Sequence, residues 1–307
     1  MPYNLVSHHK KIIADTITPV SVYLKVRDHY PNSILLESSD YHANDNSFSY
    51  VCFNPIASVS IANNRYTEEH PDGTSRKIEL DSKSDVPGLI SNFGGLFTTN
   101  NENFKFINQG LFGYMNYDAV RYYEDVEISK TEEATAIPDL YYAVYQNIIA
   151  INHFNNEAYL FAHCYESENN IPEIEQLLKS KNFPTYEFSK EGEAITNVSD
   201  KEFKNLVETA KKHCQRGDVF QLVLSRRFEQ SFSGDEFNVY RALRTVNPSP
   251  YLFYFDYGNF KLFGSSPEAQ LVVKDKKAEI HPIAGTFKRT GNDEQDAELA
   301  KKLAADK

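Results

Sequence analysis

Two long runs constrain this chain more than anything else in it: Phe48 to Ile61 (FSYVCFNPIASVSI) and Leu140 to Ile151 (LYYAVYQNIIAI). The first alternates apolar and polar residues at a period of two and reads as a strand pair broken at Asn54-Pro55, because proline cannot donate to a sheet ladder. The second reads as a strand adjacent to Glu157 to His163 (EAYLFAH), the two joined through Asn155-Asn156. Strands that follow one another through short turns pair antiparallel. An α+β fold of antiparallel-rich sheets packed with outer helices is therefore expected, in preference to alternating βαβ units.

The other elements follow from caps and punctuation. Thr18-Pro19 offers a capping residue and a proline at the first helical position, and Val22, Val26 and Tyr30 recur at i, i+4 and i+8, which predicts a helix ending near Pro31. Ser33 to Ser38 (SILLES) is a short apolar strand, and Tyr66 to Val86 is charged and irregular, a hairpin and loop. Gly94-Gly95 and Gly110-Leu-Phe-Gly113 punctuate further short segments. Tyr165 to Asn197 is polar, with a short helix from Pro172 to Ser180, and a boundary within Phe183 to Asn197 gives two domains, 1–190 and 191–307.

Beyond that boundary Ser199-Asp-Lys-Glu202 matches a capping box, and Phe203, Leu206, Val207, Ala210 and Cys214 keep helical spacing until Gly217. Val219 to Phe228 (VFQLVLSRRF) is apolar on both faces and is expected to be a strand buried on both sides. A helix over Glu236 to Val246, the turn Asn247-Pro-Ser-Pro250 and a strand over Tyr251 to Phe255 come next. A further strand ends in the turn Leu262-Phe-Gly-Ser-Ser-Pro-Glu268, and Leu271 to Lys274 with Glu279 to Ile283 forms a hairpin about Asp275-Lys276-Lys277. Asp293 to Lys307 is a charged helix pattern that stops without a glycine cap or a proline, as where a longer chain is cut through a helix.

Composition narrows the function. A net charge of −11, from 32 basic and 43 acidic side chains, argues against a nucleic-acid binder, whose affinity rests on clustered Lys and Arg. No uncharged apolar run is long enough to span a bilayer and the N-terminus lacks an apolar signal core, so a soluble, cytoplasmic protein is expected. Cys52, Cys164 and Cys214 are odd in number and far apart, which disfavours a disulfide or zinc framework. The chain has 20 Tyr and 21 Phe but no Trp.

Four places can carry chemistry. Gln221 sits amid apolar neighbours, where it is either a satisfied core amide or a functional group. Glu268 at a strand end is either a solvated turn residue or a general acid/base. His281-Pro-Ile-Ala-Gly-Thr286 ends on a Gly-Thr pair that is a plain turn or a cradle for a carboxylate. Leu35-Leu-Glu-Ser38 and Asn247-Pro-Ser-Pro250 combine apolar or rigid positions with a few polar groups, as the walls of a small-molecule pocket do.

The strings TPVSVYLKVRD, SILLESSD, GLFGYMNYDAVRYYE, RGDVFQLVLSRRF, NPSPYLFYF, LFGSSPEAQL and HPIAGTFKRTG, in this order from about residue 18 to the end, resemble the anthranilate synthase component I family of chorismate-utilising enzymes. The resemblance implies the family's two-sheet αββα fold, incomplete at the C-terminus. It also implies conversion of chorismate and ammonia to anthranilate and pyruvate, with magnesium and a glutamine amidotransferase partner. Glu268 looks like the family's active-site glutamate, and Gly285 with Thr286 like its chorismate-contacting pair. Leu36, Glu37, Ser38, Asn247, Pro250, Tyr251 and Leu252 look like the feedback site for L-tryptophan. Aminodeoxychorismate synthases carry an attacking lysine where this chain has Ala284, and isochorismate and salicylate synthases a lysine base where it has Gln221. Neither a methyl group nor an amide can do that work. The family's magnesium ligands are expected beyond residue 307, so the chain by itself is expected to lack synthase activity. Aminodeoxychorismate synthase component I and a tryptophan-binding regulatory piece without catalysis remain the alternatives.

Overall fold

The computed structural model describes residues 2–38, 47–100, 104–128, 137–283 and 286–305. Within them the chain divides into two units, one made of Met1–Pro184 with Leu243–Lys307, the other of Thr185–Ala242. The polypeptide thus re-enters its first unit after the boundary expected near residue 190.

In chain order the first unit opens with β1 (Tyr3–Ile13), α1 (Pro19–Val26), β2 (Ile34–Ser38), β3 (Phe48–Ala62), β4 (Arg65–Glu69) and β5 (Ser75–Glu79). It continues through α2 (Val86–Gly95), β6 (Phe97–Thr99), β7 (Phe112–Met115), a short 3-10 turn (Tyr117–Tyr122), β8 (Leu140–Asn152), β9 (Glu157–Cys164) and α3 (Ile171–Lys179). The second unit holds β10 (Phe188–Thr196), α4 (Asp200–Arg216) and β11 (Phe228–Gly234), and α5 (Phe237–Val246) runs across the return point. Then come β12 (Tyr251–Asp256), β13 (Lys261–Ser266), β14 (Val272–Lys274), β15 (Lys277–Glu279) and α6 (Asp293–Ala305).

One eleven-stranded sheet organises the first unit, in the order β13-β12-β2-β3-β8-β9-β1-β6, with β4, β5 and β7 attached at its side. Every pairing in it is antiparallel except β1 with β6. The mixed α+β class expected from the sequence is what forms. The centre is β8, buried almost throughout. Its alternate residues divide between two cores: Ala143 and Tyr145 join Ile34, Cys52 and Phe255, whereas Leu140 and Val144 join Val59, Ile61, Tyr66 and Phe93. Helix α1 covers β2 and β3 with Val22, Tyr23, Leu24 and Val26, all 4% exposed or less. Its Thr18–Ser21 capping box and Pro19 account for its start. Among the described residues no helix is long and apolar enough to cross a membrane.

Several expectations are corrected. Phe48 to Ile61 is not a broken pair but one strand, β3, which pairs with β8 along its length. The sheet absorbs Pro55 through a register shift between Pro55 and Ala57, with Asn54 in the left-handed region at φ 58°. Tyr3–Ile13 is a strand that its polar SHHKK centre conceals, because it is held by its backbone ladder to β9 while its side chains, Leu5 excepted, stay at least partly exposed. Val219 to Phe228 is not a doubly buried strand: residues 221–227 take no regular structure, and Val223 is 86% exposed. A strand apolar on both faces needs cover on both. Among the described residues β11 pairs only with β10, itself exposed along its whole length. The late hairpin forms, but its second strand starts at Lys277, since Asp275 and Lys276 at positive φ close a two-residue turn.

Candidate functional site

The strand β2 is five residues of ILLES, and its register decides the site. It lies between β3 and β12, with Leu36 opposite Phe253, Glu37 opposite Leu252 and Ser38 opposite Tyr251. Residues directly opposite share a face. Two segments more than 200 positions apart, Leu36-Glu37-Ser38 and Tyr251-Leu252, thereby become neighbours. The sequence-predicted feedback residues converge here: Glu37 is 6% exposed and Leu252 4%, while Tyr251 keeps 45% of its surface.

The turn Asn247-Pro-Ser-Pro250 closes this end of the strands. Asn247 N–H donates to the Leu243 carbonyl, continuing α5 by one bond, and the Ser265 hydroxyl of β13 donates to the Asn247 carbonyl at 2.5 Å. Proline at 248 and 250 stiffens the turn. Asn247 and Pro250 are exposed, and Ser249 between them is buried.

Charge enters through Arg244, one turn before Asn247 on α5. Its Nε lies 2.9 Å from Glu37 Oε2, so the buried carboxylate has a guanidinium against it. Behind Ser38 stands a second group of polar side chains. Ser38 N–H donates to Ser49 Oγ at 3.3 Å, and Ser49 Oγ is 2.6 Å from His153 Nε2. Burial, then the Arg244 charge, hold the His153 pKa below its ordinary value. At this strand end the Glu37 carboxylate with the Arg244 guanidinium and Leu252 lies on one face and Ser38 with Leu36 and Tyr251 on the other, a set that can take an α-amino acid at the end of the strands. The carboxylate suits its ammonium, the guanidinium its carboxylate, and the apolar residues its side chain.

Sequence reasoning missed Arg244, Ser49 and His153. A basic residue three positions before Asn247 on a helix was a usable signal for Arg244, since i and i+3 share a helix face. Nothing local pointed to Ser49 or His153, which are joined only by the pairing of Phe48 with Asn152.

The predicted catalytic residues are not gathered in the same way. Glu268 follows β13 by two residues and is exposed, its backbone N–H donating to Ser266 Oγ at 3.3 Å. Gln221 belongs to the second unit and is exposed in an irregular stretch, so it is not the buried amide expected. Ala284 and Gly285 lie outside the described residues, and Thr286 is exposed. Among the described residues no group of three or more His, Cys, Asp or Glu could hold a metal ion. The described residues therefore do not form a site for the magnesium that the resemblance implies.

The GLFGYMNYDAVRYYE segment is held by a different cluster. Asp139 accepts from Arg121 at 2.5 Å, from the Tyr122 hydroxyl at 3.0 Å and from Asn116 Nδ2 at 3.0 Å. Burial, then the bond to Asp139, push the Tyr122 pKa up to about 12. This is a structural clamp on the turn after β7.

Comparison with known proteins bears on both sets. A model of the chorismate binding enzyme family matches residues 33–307. Anthranilate synthase component 1 of Acetivibrio thermocellus is 29% identical over 322 residues, covering 99% of this chain and 64% of the relative. That of Aquifex aeolicus (strain VF5) is 30% identical over 320 residues, with the same coverage of 99% and 64%. Among solved structures, anthranilate synthase component I from Streptococcus pneumoniae TIGR4 aligns with a TM-score of 0.60 at 24% identity, over 97% of this chain and 64% of that one. The menaquinone-specific isochorismate synthase of Escherichia coli aligns at 0.58 and 16% identity, over 99% and 60%. At those identities the two structures speak to the fold alone. The chain spans 64% of the length of each of these two relatives.

Proposed function

Since this chain belongs to the chorismate binding enzyme family, we propose that it is part of the large subunit of a cytoplasmic anthranilate synthase, comprising the N-terminal domain and the first portion of the chorismate-binding domain. The reaction joins chorismate and ammonia and yields anthranilate, pyruvate and water. The observation that carries this reading is the pair Gln221 and Ala284. At the positions where related enzymes keep a lysine as base or nucleophile, this chain has an amide and a methyl group. A neutral amide does not take a proton near neutral pH, and a methyl group cannot attack a ring carbon. The nucleophile must come from outside. Ammonia suits that role, and its delivery by a glutamine amidotransferase subunit avoids the ammonium ion that dominates in neutral water.

In this reading Glu268 is the acid/base or substrate contact, and Gly285 with Thr286 receives a chorismate carboxylate. Glu268 and Thr286 are exposed, and the rest of the relatives' length is the source proposed for the neighbours that would complete the site. The seam between β2 and β12 is the feedback site, taking L-tryptophan through Glu37, Ser38, Asn247, Pro250, Tyr251, Leu252 and Leu36.

Product identity tests the reaction. This chain alone, with chorismate, ammonium and magnesium, is expected to give no anthranilate fluorescence. Joined to the rest of the relatives' length, it is expected to give ortho-aminobenzoate. Formation of the para isomer's aminodeoxychorismate precursor would instead support the folate-pathway alternative and sink the anthranilate reading.

A further inference from the structure

The ladder between β2 and β3 runs from Ile34 opposite Cys52 to Leu36 opposite Tyr50, whereas the ladder between β2 and β12 runs on through Glu37 and Ser38. On the β3 side the next backbone donor, Ser38 N–H, bonds to a side chain, the Ser49 hydroxyl. Ser49 is itself fully buried, at 0% exposure, and its oxygen lies 2.6 Å from His153 Nε2. His153, in the turn after β8, keeps contact with solvent although its ring is partly buried, and its backbone N–H donates to the Ser47 carbonyl at 3.1 Å. The end of β2 that bears the two polar residues of the seam is thus fastened by a relay from Ser38 through Ser49 to an imidazole that can exchange protons with water.

We propose that His153 is a positioning residue of the amino-acid site: through Ser49 its neutral ring holds Ser38 and Glu37 in the geometry that accepts ligand, and protonation of the ring weakens binding. This rests on the reading of the β2–β12 seam as an amino-acid site. A neutral imidazole nitrogen can accept from Ser49 Oγ–H while Ser49 Oγ accepts from Ser38 N–H, so each bond polarises the next. An imidazolium only donates. The Ser49 proton must then turn away, and a new cation stands near Arg244, where it competes for the Glu37 carboxylate that a ligand ammonium needs.

The surroundings single out this ring. Arg244 from α5 and Glu37 from β2 are the charges at the seam. Arg241, also on α5, donates to Asn238, and Glu157 at the start of β9 is paired with Lys11. On β3 the Tyr50 hydroxyl is pushed up to about 12 by burial and is silent in mild acid. Burial, then Arg244, keep His153 below the ordinary imidazole value of about 6.5. The ring is therefore neutral and binding is full at neutral pH, and affinity falls as the pH drops through the imidazole range.

Calorimetric titration of the chain with L-tryptophan at about pH 7.5 and about pH 5.5 tests this, using the wild type, His153→Gln and Ser49→Ala. The wild type is expected to bind up to about fivefold more weakly in acid, since a one-unit displacement of a pKa at or below about 6.5 is only partly expressed at about pH 5.5. His153→Gln, whatever its affinity at the higher pH, should lose most of the acid dependence. Ser49→Ala should bind more weakly at both. If a variant does not fold, the wild-type His153 ring followed by NMR is expected to titrate at lower pH with tryptophan bound; an unmoved titration overturns the proposal. Parallel pH profiles for wild type and His153→Gln overturn the role of His153 and leave the amino-acid site standing. No binding of tryptophan at either pH overturns the site and this proposal together.

Discussion

Replacing Arg244 by methionine tests the seam as a piece of protein chemistry, before any ligand is added. The Glu37 side chain is 4% exposed and that of Arg244 37%. Removing one partner of a deeply buried pair costs about 3–5 kcal/mol, because a charge is left in a poorly solvated place. Arg244 is more than a third exposed, so water entering its place will recover part of that solvation, and a loss of about 2 kcal/mol is expected for Arg244→Met. For a unit of this size that is a fall in Tm of about 4–8 °C. Glu37→Gln in the same chain removes the stranded charge, so the double variant should be more stable than Arg244→Met alone by about 1 kcal/mol. The deficit should also shrink in acid. A carboxylate deprived of its cation in a buried site has its pKa raised above the unfolded value, so protonation favours the fold as pH falls. Thermal unfolding followed by tyrosine near-ultraviolet circular dichroism reads each of these. The reasoning fails if Arg244→Met unfolds within about 0.5 kcal/mol of wild type, or if the two substitutions add independently.

Two further predictions concern the sheet. Gly113 of β7 lies against β8 so closely that an added Cβ would collide with the Tyr141 carbonyl and come 2.7 Å from Tyr142 Cα, both backbone. Gly113→Ala is therefore expected to cost about 3 kcal/mol and to free β7 from β8, seen as faster amide exchange at Tyr114; unchanged exchange would contradict the clash. His163 is 1% exposed, bonded by its two ring nitrogens to Ser7 Oγ and the Asn108 carbonyl, each at 2.7 Å. Burial lowers its pKa against the opposing bond to Asn108. Its contribution is thus complete above the unfolded value of about 6.5 and is lost as the pH falls toward the depressed native value. A urea midpoint that drops over that window in wild type and drops less in His163→Asn is the expected result, and identical drops would refute it.

The sequence was most legible where local chemistry and burial agree. The capping residue at Thr18, the capping box at Ser199 and the helix stop at Gly217 stand where the residues put them. The hairpin of β8 and β9, with Asn156 at φ 52°, arises from apolar runs and an Asn-Asn turn. Legibility fell where a partner distant in sequence decides. The β1 strand owes its extended form to the ladder with β9 rather than to an apolar face of its own, and β3 keeps one strand through Pro55 because β8 runs unbroken beside it. Val219 to Phe228 shows the converse, a strand pattern with no cover among the described residues. The seam was legible by resemblance through Glu37, Ser38 and the Asn247 turn, while Arg244, Ser49 and His153 emerged only once register brought three elements to one strand end.

The most direct test of the central claim uses the absence of Trp from the chain. Any indole emission excited at the red edge of its absorption then comes from added L-tryptophan alone. The β2–β12 seam as an amino-acid site predicts a saturable change in that emission with wild-type protein, and its loss in Ser38→Ala and Glu37→Ala at the same concentrations. Emission that tracks free tryptophan linearly, or saturation that survives both substitutions unchanged, would contradict it.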